Sequence, residues 1–417
     1  MRLQPLTDTL AAKLLAARRS GDAVADRVAA RIIADVRRRE DAALFSWTRQ
    51  LDRVRLTPKT LWVPRRDIEA GGRGVSPELR DALAHAARNI RQVAERQRPR
   101  PWSLNVELGV RVSQRVTPLE TIGCYIPGGR FSLVSTLLMT VVPAQVAGVK
   151  RIIVVCPRPN AALLAAARLL GVYEIARIGG AQAIAAMAYG TRSVPRVHKI
   201  FGPGNRYVTA AKRLVSADCA IDLLAGPTEV LIVSRSGNAR YIASDLVAQA
   251  EHDPDAVAIF VTTSRKLADD VRDNVSEQLS ALPPTNPARR SLSENGAILI
   301  ASNTAAAVRF ANLFAPEHLS LPDSNGAMLR QLDSAGSFFV GPWSAQSVGD
   351  YASGTNHVLP TGGGARARGG LSTWDFVRCT STQQLTRAGL QSLAPVVAAL
   401  AQAEGLEAHK RAVEVRR

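Results

Sequence analysis

This sequence predicts an α/β protein of two doubly wound, incomplete Rossmann-like parallel-sheet domains, with a helical N-terminal segment and a helical C-terminal arm. Three observations predict it. Apolar strand-like runs alternate with helix-like runs from about residue 121. The alternation resumes at "TEVLIVS" and continues to about 345, while the flanking stretches carry helical periodicity. A chain of 417 residues is also long for one core and suits two main domains. The expected division is a helical segment at 1–20, a discontinuous main domain from 21–124 and 227–371, a second α/β domain at 125–226, and the arm at 372–417.

Taken in order, "MRLQPLTDTLAAKLLAARRSGD" reads as an amphipathic helix with Leu10, Leu14 and Leu15 on one side. In "AVADRVAARIIADVRRREDAALFSWTRQL", Val24, Val28, Ile32, Val36 and Leu44 fall near helical spacing. A further helix starts at the N-cap Ser76, with Glu78 in its first turn, and "RPRPW" at 98–102 reads as a linker. Then follow the strand "TIGCY", the helix "STLLMTVVPAQVAG", the strand "RIIVVC" and the helix "AALLAAARLLG". "IARIGG" and "HKIFGPGN" read as strands with turns, each followed by a helix. "TEVLIVS", "AVAIFVTT" and "GAILIAS" are strands of the second unit. "TGGGARARGG" reads as a flexible loop before a helical tail from 381.

Composition removes several function classes. No apolar run approaches the roughly 18 residues of a membrane span, and Lys13 interrupts the apolar N-terminal stretch with no cleavage pattern after it, so a cytoplasmic protein is expected. Cys124, Cys156, Cys219 and Cys379 are scattered with no C-x-x-C pair, against a disulfide framework and a thiolate zinc site. The formal charge of +18 points towards nucleic acid, but its 46 Arg and 7 Lys are spread along the whole chain, with no RNP-like or zinc-finger pattern. A solvated, arginine-rich surface explains the charge better.

The chemistry-bearing residues gather in a few places. Gln249 and His252 stand three apart at the end of a helix expected over "YIASDLVAQAEHDP", where Pro254 prevents continuation. A side-chain carbonyl and an imidazole on one face can hold a divalent cation, or be ordinary helix surface. Glu317 and His318 follow Pro316 at the entrance to an apolar stretch, where both could face a substrate as acid/base groups. Asp350 and His357 crowd a Gly-rich stretch expected to be a loop. In the tail, Gly405 breaks the helix between Glu404 and His409, which lets both reach one site. A Rossmann G-x-G-x-x-G is absent, but "GCYIPGG", "GGAQAIA" and "FGPGNRYV" end expected parallel strands, where glycines admit a dinucleotide.

Together, "YIPGG", "GGAQAIAA", "KIFGPGN", "AGPTEVLI", "SDLVAQAEHDP", "APEHL", "GDYASGTNHVLPT" and "AHKRAV" stand in the order found in histidinol dehydrogenases, a family the chain resembles from about residue 25 onward. The resemblance implies oxidation of L-histidinol to L-histidine through L-histidinaldehyde, with two NAD and one zinc ion per subunit. It implies Gln249, His252, Asp350 and His409 as zinc ligands, a set that Mn or Co could share. His318 would be the general base and Glu317 the group that activates water. Substrate contacts would be Thr228, Gln249, His252, His318, Asp350, Glu404 and His409, with His357 nearby. Tyr125, Gln182 and Asn205 would contact NAD, which makes 125–226 the NAD-binding domain. The implied assembly is a homodimer whose C-terminal arm crosses, so that Glu404 and His409 complete the neighbour's site. Thr228 stands where the family commonly has Ser, and "GGGARARGG" is richer in Arg than the family pattern. Two other readings compete: a related zinc/NAD enzyme for another polar alcohol such as a sulfonated diol, and a basic nucleic-acid-binding protein on a retained enzyme fold, whose affinity would fall steeply with salt.

Overall fold

A computed structural model describes residues 1–18, 22–71, 73–128, 133–323 and 327–416. Gly129, which ends "YIPGG", and the boundary expected at residues 20 and 21 lie outside the described residues. Two parallel sheets organise the core. The larger runs Arg2–Pro5, Ala297–Ile300, Val257–Thr262, Glu229–Val233, His318–Leu321, Ser337–Val340 across its width. The smaller runs Ile175–Ala176, Arg151–Val155, Thr121–Tyr125, Lys199–Phe201, Ala220–Ile221. Leaving aside the N-terminal edge strand, both follow the chain order 3-2-1-4-5. Each therefore has a switch point beside its first strand, where successive connections diverge and a crevice opens.

The interior strands form because β-branched runs such as "RIIVV" and "EVLIV" bury both faces of a parallel sheet. Helices close around them with side-chain caps: Ser76, the expected N-cap, accepts from the Leu79 N–H at 3.3 Å, and Asn205 accepts from the N–H groups of Tyr207 and Val208. Gly171 ends the Ala161–Leu169 helix in the left-handed region at φ 68°. Among the described residues no helix is long and apolar enough to cross a membrane, and none of the four cysteines forms a disulfide.

Several elements differ from expectation. Arg2–Pro5 is an edge strand on the larger sheet, paired with Ala297–Ile300, and the helix follows only at Asp8–Ala17. A three-stranded antiparallel sheet of Trp102–Glu107, Val110–Pro118 and Val377–Leu385 begins at the last residue of the expected linker and occupies the start of the expected helical tail. Its first strand is exposed at every residue, so it lacks the apolar run that marks the interior strands. Helices Ala23–Arg39 and Asp41–Asp52 pack with Ile153, Val155 and Ile200 of the smaller sheet, and Thr121–Tyr125 is a strand of that sheet. Further along the same stretch, Leu83, Ala87 and Ile90 share a core with Ile122 and Leu137 and also with Val358 and Leu371. The buried face of Ala23–Arg39 is Ala25, Ala29, Ile32, Ile33 and Val36, while Val24 and Val28 are half-exposed. Small residues let this helix approach the alanine-rich Gly180–Tyr189 helix closely.

The turn after Lys199–Phe201 is fixed by a buried charge pair. Gly202 has φ +106°, and a Cβ there would lie 2.1 Å from the Tyr125 carbonyl oxygen, so only glycine fits. Lys212 donates to the Gly202 carbonyl at 2.9 Å and to the Asp222 carboxylate, which accepts the Gly202 N–H at 2.7 Å. The Lys212 and Asp222 side chains are 2% and 0% exposed. Lys212→Met removes one partner of this pair and is expected to cost about 3–5 kcal/mol of stability. Urea unfolding followed by circular dichroism checks this, and a loss below about 1 kcal/mol would contradict it.

Candidate active site

A cleft of about 1010 Å³ lies between the two sheets. From the smaller sheet it is lined by Pro127, Pro203, Gly204 and Asn205, beyond the carboxyl ends of the strands at the switch point. From the larger sheet it is lined by Thr228, Glu317 and His318, at the amino ends of the two strands that flank the other switch point. His252, Asp350 and His357 complete this wall.

Register sets the acid/base pair. His318 opens its strand and lies opposite Val230 in parallel pairing. Its Nδ1 lies 3.0 Å from the Glu229 carbonyl oxygen. A carbonyl only accepts, so Nδ1 holds the proton and the tautomer is set. Nε2 is buried without a hydrogen bond, 3.6 Å from Asp350 Oδ1. Glu317 Oε2 accepts from the Thr228 hydroxyl at 2.6 Å and from the Glu229 N–H at 2.9 Å, and sits 3.7 Å from His318 Nδ1. Burial pushes the Glu317 carboxyl up to about 7, against the pull of His318 and its two donors. Burial works against charge on His318, but Glu317 and Asp350 outweigh it and lift the imidazole to about 9. Proton exchange near neutral pH is thus a property of the pair.

The expected metal ligands are partly assembled. Gln249 is fully buried; its amide donates to the Thr228 hydroxyl, and its Oε1 is left with no hydrogen-bond partner. Asp350 lies in the short helix Gln346–Tyr351, not in the loop expected from its glycines. Burial opposes charge on Asp350, but His318, His357 and His252 hold its carboxyl below the usual range. The Ala239–Ala250 helix stops before His252, so Gln249 is buried while His252 stands exposed just past the helix end. His357 Nδ1 donates to the Asp350 carbonyl at 2.9 Å, and its Nε2 lies 3.4 Å from the Thr136 hydroxyl. An orphaned amide oxygen, a carboxylate and an imidazole suit a borderline divalent cation. Among the described residues no three His, Cys, Asp or Glu side chains gather into a metal site, because Gln249 is an amide and His409 lies elsewhere. Glu404 and His409 are exposed and do not line the cleft.

A model of the histidinol dehydrogenase family matches residues 16–417. This chain belongs to the histidinol dehydrogenase family. A Vibrio parahaemolyticus histidinol dehydrogenase is 46% identical over 391 residues, 92% of this chain and 90% of that protein. One from Methanosarcina barkeri is 44% identical over 429 residues, 100% of this chain and 98% of that protein. The crystal structure of histidinol dehydrogenase from Elizabethkingia anophelis superposes with a TM-score of 0.93 at 36% identity, covering 100% of this chain and 98% of that one. Histidinol dehydrogenases are NAD-dependent oxidoreductases that act on CH–OH groups.

For a histidinol dehydrogenase, the three residues expected at NAD divide between two places. Asn205 lines the cleft, with its side-chain oxygen engaged as a helix cap. Tyr125 and Gln182 are buried outside the cleft lining: the Tyr125 hydroxyl accepts from the Gly180 N–H at 3.1 Å, and the Gln182 amide donates to Asp52 at 3.1 Å. The "TGGGARARGG" segment is anchored where a flexible loop was expected. Arg366 donates to the Leu313 carbonyl at 2.7 Å, and Arg368 to Asp375 at 2.9 Å and to the Asp222 carbonyl. Its extra arginines thereby have a structural use. Glu229, whose main chain meets both acid/base groups, is a functional residue that no sequence motif singled out. The available signal was a carboxylate opening the otherwise apolar "EVLIV".

Thr228 joins Gln249 to Glu317 through one hydroxyl. Thr228→Val leaves the buried Gln249 amide without its acceptor and removes one of the two donors to Glu317, and is expected to lower kcat about tenfold or more, whereas Thr228→Ser stays within about threefold. Steady-state kinetics on the two variants checks this.

Proposed function

We propose that this chain is a cytoplasmic histidinol dehydrogenase that oxidises L-histidinol to L-histidine in two NAD-linked steps. The observation that carries the reading is the pairing of a buried imidazole and a buried carboxylate at one cleft wall, in a chain of this family. In the first step His318 Nε2 takes the alcohol proton as hydride passes from the carbinol carbon to NAD. The aldehyde stays in the cleft. Glu317 takes a proton from the water as it adds, the protonated His318 returns one to the aldehyde oxygen, and the hydrate passes a second hydride to a second NAD as His318 Nε2 takes its hydroxyl proton. The Glu229 carbonyl keeps His318 in the tautomer this requires, and Thr228 orients Glu317. Gln249, His252 and Asp350, with His409 from the arm of a second copy, would hold zinc. Zinc held there would supply a site for the nitrogen-bearing end of the substrate, with proton transfer left to His318 and Glu317. Glu404 from the same arm adds a carboxylate suited to an amine-bearing substrate. Tyr125, Gln182 and Asn205 belong to the nucleotide side in this reading.

Histidinol-dependent NADH formation, lost on chelation, restored by zinc and giving two NADH per histidine, tests the assignment. NADH formed from small anionic diols but not from histidinol would overturn it in favour of the related-alcohol reading. Glu317→Gln separates the two steps. It is expected to slow aldehyde oxidation about 100-fold, and to shift the acid limb of alcohol oxidation to lower pH, because the charge that raises His318 is gone. An unmoved acid limb in stopped-flow single-turnover traces would count against that role. The crossing arm has its own test. Co-refolded His318→Gln and His409→Ala chains, each inactive alone, are expected to recover roughly a quarter of wild-type activity, since half of the mixed dimer's sites take a sound core from one chain and a sound arm from the other. No recovery would mean that each arm serves its own chain.

A further inference from the structure

Arg18, just after the Asp8–Ala17 helix, reaches a partner 211 residues away. Its Nε donates to Glu229 Oε1 at 2.7 Å and its Nη2 to Oε2, a two-point fork, with the side chains 7% and 4% exposed. Its Nη1 donates to the Phe314 carbonyl, its Nη2 lies 3.5 Å from the Ala315 carbonyl, and the guanidinium carbon sits 3.7 Å from the centre of the Phe314 ring. Phe314 ends the Thr304–Phe314 helix, and Ala315 turns the chain at φ +46°. Two residues later come Glu317 and His318. One guanidinium thus bonds to both backbone segments that define the acid/base pair: the end of the helix leading into Glu317, and Glu229, whose N–H and C=O hold Glu317 and His318. Glu229 Oε1 also accepts the Gly362 N–H at 3.2 Å, which ties in the chain beyond His357.

We infer that Arg18 is a positioning residue, whose fork on Glu229 and whose bonds to the 314–315 carbonyls hold the two segments in the register that aligns Glu317 and His318. Stability alone is a weak reason to bury such a pair, because desolvation offsets much of its attraction and apolar side chains of similar volume often serve as well. Orientation is what a planar two-point fork supplies and an apolar contact does not. The inference rests on the reading of Glu317 and His318 as the reacting groups.

Arg18→Lys keeps the charge and loses the fork, and Glu229→Gln keeps the shape and loses the charge. In the zinc-loaded full-length enzyme each is expected to lower kcat about 10- to 100-fold, the cost of a misplacement near 1 Å. KM for histidinol is expected to change less than about threefold, since binding is not what is lost. The pH dependence of kcat is expected to move, because the surroundings of His318 change. Thermal unfolding of both variants reports the folded fraction. A kcat within about twofold of wild type in a folded variant, or a wild-type pH profile in whatever activity remains, would overturn the inference. His318→Gln in the same assay separates the layers: if it keeps wild-type turnover, the assignment of the pair fails, whereas an inactive His318→Gln beside a fully active Arg18→Lys sinks only the role of Arg18.

Discussion

The parallel pairing of His318–Leu321 with Glu229–Val233 is the constraint on which the site depends. It brings the main chain of Glu229 beside two consecutive residues of a distant segment, where its N–H donates to Glu317 and its carbonyl accepts from His318. A one-residue slip would exchange the faces of every side chain on the strand. The fully buried Leu319 and Leu321 would lose their places in the core along with His318. Core packing and chemistry therefore enforce the same register.

The two sheets share the order 3-2-1-4-5 but face the cleft with opposite ends. The smaller offers the carboxyl ends of its strands, the customary side for a nucleotide in an open α/β sheet, where glycine turns let backbone approach a ligand. The larger offers amino ends, where the peptides of Thr228 and Glu229 are presented to side chains from the next crossover. One wall suits a nucleotide through backbone shape and the other suits proton transfer through side chains. That division fits a reaction in which a hydride crosses from one wall to the other.

Much of this was legible in the sequence, for physical reasons. Interior strands such as "RIIVV" and "VAIFVT" are apolar without interruption because both their faces are covered. Glu317 and His318 stood out because a proline beside two ionisable residues marks an element boundary. The polar edge strand "RLQP" and the solvent-facing "WSLNVE" carried no such mark, since neither has an apolar run. Asp350 was expected in a loop because its neighbours are glycines, yet Gln346 and Gly349 pack tightly enough to hold a helical turn around it. Arg18 was silent, and nothing local tied it to Glu229, because an ion pair spanning 211 positions leaves no local pattern.

The ladder between Val377–Leu385 and Val110–Pro118 has nine rungs without a break. It works as a measuring rod at the root of the terminal helices, fixing both how far along the molecule they begin and which way round they leave it. Lengthening or shortening the rod by a single residue would turn the whole tail over. A change of length in the 102–118 hairpin therefore needs a matching change in the tail's first strand, so two regions far apart in the chain are coupled through one ladder.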